Sequence, residues 1–122
     1  MDYTTANIIE FKLIEFTVNG LLSEEIRKEI LMNAAGALSV AGYNRLLIDL
    51  VDTEFKANEP VTGALTLVTY MRKIGFPPMT RMAFIYSDAE SHRKYFENVA
   101  QADGFHLKYF KNRDEAIEWL CE

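Results

Sequence analysis

From Arg45 to Val51 the chain reads Arg-Leu-Leu-Ile-Asp-Leu-Val, an apolar stretch interrupted only by Asp49 and carried on through Asp52 to Phe55. The stretch is far shorter than the roughly 20 residues a membrane-spanning helix needs. It also lacks the polar alternation of a strand with one wet face, so it reads as a strand buried on both faces and covered by helices, as central strands of parallel sheets are. In such folds the loops that leave the carboxyl ends of the strands carry the sites. Asp49 to Gly63 is therefore the first segment to search for function.

The flanking sequence supplies the remaining layers. Residues 3 to 18 alternate imperfectly, with Ile14, Phe16 and Val18 on one side and Lys12, Glu15 and Thr17 on the other, which suits one long strand or a pair of strands. Asn19-Gly20 is expected to close that unit with a turn. Ser23 followed by Glu24 and Glu25 starts a helix with acids in its first turn, and Ile26, Ile30, Leu31, Ala34, Ala37 and Leu38 then recur at helical spacing up to Gly42. The small residues from Ala34 to Ala37 suit close packing on the sheet. Pro60 occupies a first helical position, and a helix is expected over 61–74 before Gly75 and Pro77-Pro78 end it.

A further strand is expected at Arg81–Tyr86, then a helix from the Ser87/Glu90 capping box to Gly104 with Phe96, Val99 and Ala100 inward. Leu107 to Phe110 reads as the last strand. Asn112 and Glu115 open a terminal helix that offers Ala116, Ile117, Trp119 and Leu120 for packing. Regular alternation of strand and helix implies an α/β fold of parallel strands joined by crossovers, its first strand being the place for an antiparallel exception.

At 122 residues, 49% of them hydrophobic, the sequence suits a single domain spanning 1–122 that needs no disulfide or metal to hold its core. Its formal net charge of −5 and scattered Lys and Arg argue against nucleic acid and against anionic membranes. The first residues show no leader pattern, so a cytoplasmic location and no stable membrane insertion are expected. The one cysteine, Cys121, forms no intrachain disulfide.

Taken as a pattern, Leu47-Ile48-Asp49-Leu50, the short loop after it, Gly63-Ala64-Leu65 and the helix end Arg72-Lys73-Ile74-Gly75 resemble the STAS domain of bacterial anti-sigma factor antagonists. Residues 112–120 are similar to the closing helix of the SpoIIAA-like branch of that superfamily. The resemblance, carried by element order from about Phe11 onward, implies a mostly parallel sheet of four to five strands with about four helices. It further implies a regulatory or ligand-sensing module related in shape to CRAL-TRIO lipid-binding domains. Regulatory members carry Asp-Ser-Ser-Gly or Asp-Ser-Thr-Gly at the start of the helix, where a partner kinase phosphorylates the hydroxyl. Here the corresponding residues are Asn58-Glu59-Pro60-Val61-Thr62-Gly63, and Thr62 alone offers a hydroxyl.

Three groups of residues remain to be weighed for chemistry. Asp49, Asp52, Glu54 and Glu59 gather at the end of the central strand, but they match no cation-loop spacing and read as solvated loop charge, with Asp49 holding backbone amides of the turn after it. No metal or other cofactor is expected. Free amides at the start of the 61–74 helix, with Gly63 allowing close approach, make Thr62 and Gly63 an anion site on physical grounds, although Glu59 would repel phosphate, and the resemblance implies Thr62 as a modification site. His92 and His106 have no zinc-ligand spacing and no nucleophile-elbow partner, so no enzymatic activity is expected.

The anomaly is the helix over 61–74. Val61, Ala64, Leu65, Val68 and Met71 form one apolar stripe, and Leu67, Tyr70 and Ile74 widen it to about 220°, more than one sheet face covers. A neighbouring helix, a second subunit or an apolar small molecule would each absorb the excess. Leu67, Tyr70, Ile74 and Phe76 are accordingly the expected edge of an interaction surface, which serves a homodimer or another protein partner. The alternatives are a carrier or sensor of a lipid-like molecule, and a small enzyme built on the acidic strand end.

Overall fold

The computed structural model describes residues 3–55, 63–77, 79–86 and 104–122. Five strands form one sheet in the order β1 (Tyr3–Ile8), β2 (Leu13–Leu22), β3 (Arg45–Phe55), β4 (Arg81–Ile85) and β5 (His106–Phe110). β1 runs antiparallel to β2, and every other neighbour pair is parallel. Three α-helices are described: α1 (Glu24–Ala41), α2 (Gly63–Lys73) and α3 (Arg113–Leu120). The helix expected between Ser87 and Gly104 lies outside the described residues.

β3 is buried from both sides, as its apolar sequence requires. Leu46, Ile48 and Leu50 enter a core shared with Ile30, Leu31 and Leu38 of α1 and Val68 and Met71 of α2. Leu47, between them in sequence, points to the opposite face and packs with Ala116, Ile117 and Leu120 of α3. Side chains of this kind contribute about 1.5–3 kcal/mol each when fully buried. Cover on the second face stops short of the strand's carboxyl end, where Val51 is 42% exposed.

The helix ends follow their capping chemistry. Ser23 Oγ accepts from the Ile26 amide at 3.2 Å, and Asn112 Oδ1 accepts from the amides of Asp114 and Glu115 at 2.7 and 3.2 Å. α2 ends in a Schellman turn: Gly75 takes φ of 72°, its amide donates to Arg72, and the Phe76 amide donates to the Met71 carbonyl at 2.9 Å. That geometry folds Phe76 back beneath the helix.

One sequence expectation fails in β2. Asn19-Gly20 does not end the strand, which continues to Leu22 with Asn19 opposite Asp52 and Gly20 opposite Thr53. The register slips between Thr17 and Asn19, where one β2 residue, Val18, faces two β3 residues, Leu50 and Val51. Gly20, at φ of 88°, takes the left-handed conformation without reversing the chain, because β3 still supplies pairing partners beyond the bulge.

β1 is tied to α1 through one side chain. Asn33 Nδ2 donates to the Tyr3 hydroxyl at 2.6 Å, and that hydroxyl also bonds to Glu29. Burial, and then the Glu29 carboxylate, raise the Tyr3 pKa. The folded protein thus holds this proton more tightly than the unfolded chain. The associated stability is complete below about pH 10 and is lost as pH rises through the higher folded value. Tyr3→Phe should remove this component of the alkaline loss in urea titrations compared above and below pH 10. Thr80 poses a different question, since it is 1% exposed and its hydroxyl has no hydrogen-bond partner among the described residues. Thr80→Val should be neutral or stabilising by about 1 kcal/mol in chemical denaturation, and a clear loss would reveal a partner for the hydroxyl.

Candidate functional site

At the carboxyl end of the sheet the Asp49 carboxylate serves the backbone. Asp49 Oδ1 accepts from the Val51 amide at 3.0 Å, which holds the bulge of β3, and Thr53 Oγ1 donates to the Val18 carbonyl at 3.2 Å across the same irregularity. Asp52 is exposed. Glu59 lies outside the described residues, and among the described residues no group of three His, Cys, Asp or Glu is placed to hold a metal ion.

Beside Asp49 lies a pair that the sequence does not announce. Arg113, the first residue of α3, grips Glu15 of β2 with both ends of its guanidinium, Nη2 to Oε1 at 2.8 Å and Nε to Oε2 at 3.3 Å. The hydrogen bonds Arg113 donates to Glu15 raise its pKa, burial opposes this, and the charges of Glu15, Asp114 and Asp49 add to the rise. The partners stand 98 residues apart, so no local pattern could have brought them together. At this end of the sheet one guanidinium thus stands among several carboxylates and pairs directly with Glu15.

The α2 flank distributes its apolar residues unequally. Val68 and Met71 are buried in the core, while Tyr70 and Ile74 are half-buried against it, along the seam where α2 meets α1. Lys28 of α1 sits 5.6 Å from the Tyr70 ring centre and pairs with Glu24 at 3.7 Å, placing a cation–π contact on that seam. Leu67 lies on α2 one turn before Met71. Phe76 is only 3% exposed and meets Phe105 edge to face at 6.3 Å, so its ring belongs to the monomer core. The Schellman turn explains that placement, because a residue in this position normally packs back onto the last helical turn. Part of the wide apolar arc is thus absorbed by α1 and by the core. Thr62 lies outside the described residues, and Gly63 is the first described residue of α2.

No family model matches the chain, and no curated protein matches it. Solved structures do. Over 98% of its length it is similar to 92% of an uncharacterised DUF3478-family protein with a SpoIIAA-like fold from Shewanella loihica PV-4, at 21% identity and a TM-score of 0.58. It also covers 96% of the anti-sigma factor antagonist SpoIIAA in its unphosphorylated form with 96% of its own residues, at 13% identity and a TM-score of 0.58. An anti-sigma factor antagonist from Mycobacterium paratuberculosis is similar over 98% of this chain and 93% of that one, at 16% identity and a TM-score of 0.60. The protein has the SpoIIAA-like α/β fold, as the STAS resemblance implies. Among the described residues no helix is long and apolar enough to cross a membrane.

The Glu15–Arg113 pair can be tested directly. Arg113 is 45% exposed and Glu15 11%, so a double-mutant cycle with Glu15→Gln and Arg113→Met should give a coupling of about 0.5–1 kcal/mol despite its two-pronged geometry. Urea unfolding at low and high salt should show that coupling shrink as salt is added.

Proposed function

We propose that this protein is a regulatory module that works by binding a protein partner, with no chemistry of its own. The observation that carries this reading is the α1–α2 seam, where Tyr70 and Ile74 remain half-buried on the edge of the main core and the Lys28 cation stands over the Tyr70 ring. A half-buried aromatic ring beside a cation, with a half-buried aliphatic side chain near it, suits a protein contact, which can complete their burial and keep the ammonium solvated at the rim. Leu67 belongs to the same proposal through its helical spacing from Tyr70 and Ile74. The names of the similar structures support it, since two of them are anti-sigma factor antagonists. Thr62, next to the start of α2, is the hydroxyl in this proposal at which modification would tune binding.

The test compares the tagged wild type with Leu67→Ser/Tyr70→Glu in extracts of the native host. Captured proteins are identified by mass spectrometry, and binding is then measured with the purified partner. The wild type should bind a defined partner, and the double variant should weaken it by about 2 kcal/mol or more while remaining folded. Equal binding by both proteins would remove the seam from the reading. Native mass spectra in which an apolar small molecule is retained by the wild type and lost by the variant would favour a carrier instead.

A further inference from the structure

A second surface, independent of the α1–α2 seam, lies at the β1 margin of the sheet. Among the described residues β1 pairs with β2 alone, so its outer edge presents unpaired backbone groups. Proteins usually guard such an edge with lysine, proline, an inward charge or a bulge. This one has none of them. From Tyr3 to Ile9 there is no charged residue, no proline and no glycine, in a chain of which 25% is charged. The pairing of Tyr3 through Ile8 with β2 runs without a register slip, and Thr4, Thr5, Ala6 and Asn7 are all exposed.

The helix beside this edge carries no charge from Asn33 to its end at Ala41. Asn33 and Glu29 both reach Tyr3, which identifies the flank of α1 that faces β1. At 100° per residue, Ala37 and Val40 fall on that flank. Val40 is 92% exposed, and a Cβ on nearby Gly36 would meet, outside its own helix backbone and chain neighbours, nothing within 4 Å among the described residues. The strand edge and the α1 flank from Asn33 to Val40 therefore form one uncharged margin, with Glu29 at its end beside Tyr3.

We propose that β1 pairs antiparallel with β1 of a second copy of this chain, joining two sheets into one, with Val40 and Ala37 of each copy bordering the seam. A copy of the chain fits this edge better than an unrelated strand. A two-fold axis perpendicular to the sheet sets like face beside like face, keeps both α1 helices on one side and satisfies the free backbone groups of both edges at once. Charge favours the same margin, since two molecules of net charge −5 repel each other least along β1 and the Asn33–Val40 part of α1, which carry no charge.

Sedimentation velocity over a concentration series, on the full chain, tests the proposal. The wild type should form a dimer. Ala6→Lys, which sets like charges across the joined strands, and Val40→Glu, which does so on the helix flank, should each raise the dimer dissociation constant about tenfold or more, whereas Tyr70→Glu on the other surface should leave it unchanged. Circular dichroism and thermal melting check that each variant is folded. Should Ala6→Lys fail to fold, Val40→Glu still decides, because a side chain 92% exposed has almost no monomer contact to lose. A wild type that stays monomeric throughout, or a dimer that resists Ala6→Lys and Val40→Glu, overturns the proposal. So does a dimer that Tyr70→Glu dissociates.

Discussion

Burial of β3 on both faces is the constraint on which the rest of the structure depends. A strand with Leu46, Ile48 and Leu50 on one side and Leu47 on the other cannot leave either face to water without losing several kcal/mol. It therefore needs cover from two layers. α1 and α2 supply one and α3 the other, and the parallel pairing with β2 and β4 follows because the connecting helices must return the chain to the same end of the sheet. The antiparallel β1 escapes this rule. It joins β2 through a short turn, needs no crossover helix, and so ends as an edge strand with little cover.

Most of this was legible in the sequence, because the signals were local and agreed with one another. The apolar run gave away β3; Ser23, Gly42, Gly75 and Asn112 marked helix ends through capping chemistry that acts within a few residues. The Asn19-Gly20 signal misled for a physical reason. Asn-Gly favours left-handed backbone, and Gly20 does take it, but a left-handed glycine in a strand can absorb a bulge as readily as it can close a turn. Whether the chain reverses is decided by what stands beside it. Here Asp52 to Phe55 of β3 stand ready to pair, and the strand goes on.

The apolar arc of α2 shows the limit of periodicity in the same way. Counting faces reveals how much surface must be covered, and says nothing of what covers it. α1 takes part of the excess along the Lys28–Tyr70 seam, and the Schellman turn draws Phe76 into the core, so of the four residues expected from sequence Phe76 leaves the proposed surface and Leu67, Tyr70 and Ile74 remain in it. Phe76 could have been assigned to the core from Gly75 alone. A glycine at the position after a helix end predicts that the next residue packs back on the last turn, and the apolar loop of prolines that follows concealed that inference.

The pair formed by Glu15 and Arg113 belongs to a different class, since nothing within reach of either residue in sequence foretells it. Its place in the fold explains why it exists. α3 is a short helix, and its apolar residues Ala116, Ile117 and Leu120 cover β3 and β4 only as far as Leu47, Ala83 and Ile85. Beyond them the second face of the sheet turns polar, with Glu15 on β2 and Asp49 on β3. Glu15 is mostly covered there, and a carboxylate so placed is costly unless a cation meets it. Arg113 stands at the end of α3 nearest this boundary, where it satisfies Glu15 and adds attraction to Asp49. The positive charge sits at a helix amino end, which the helix dipole disfavours, and Asp114 and Glu115 in the same turn offset that cost. Helix length, strand polarity and charge placement at this corner are thus one problem, solved where the apolar cover ends.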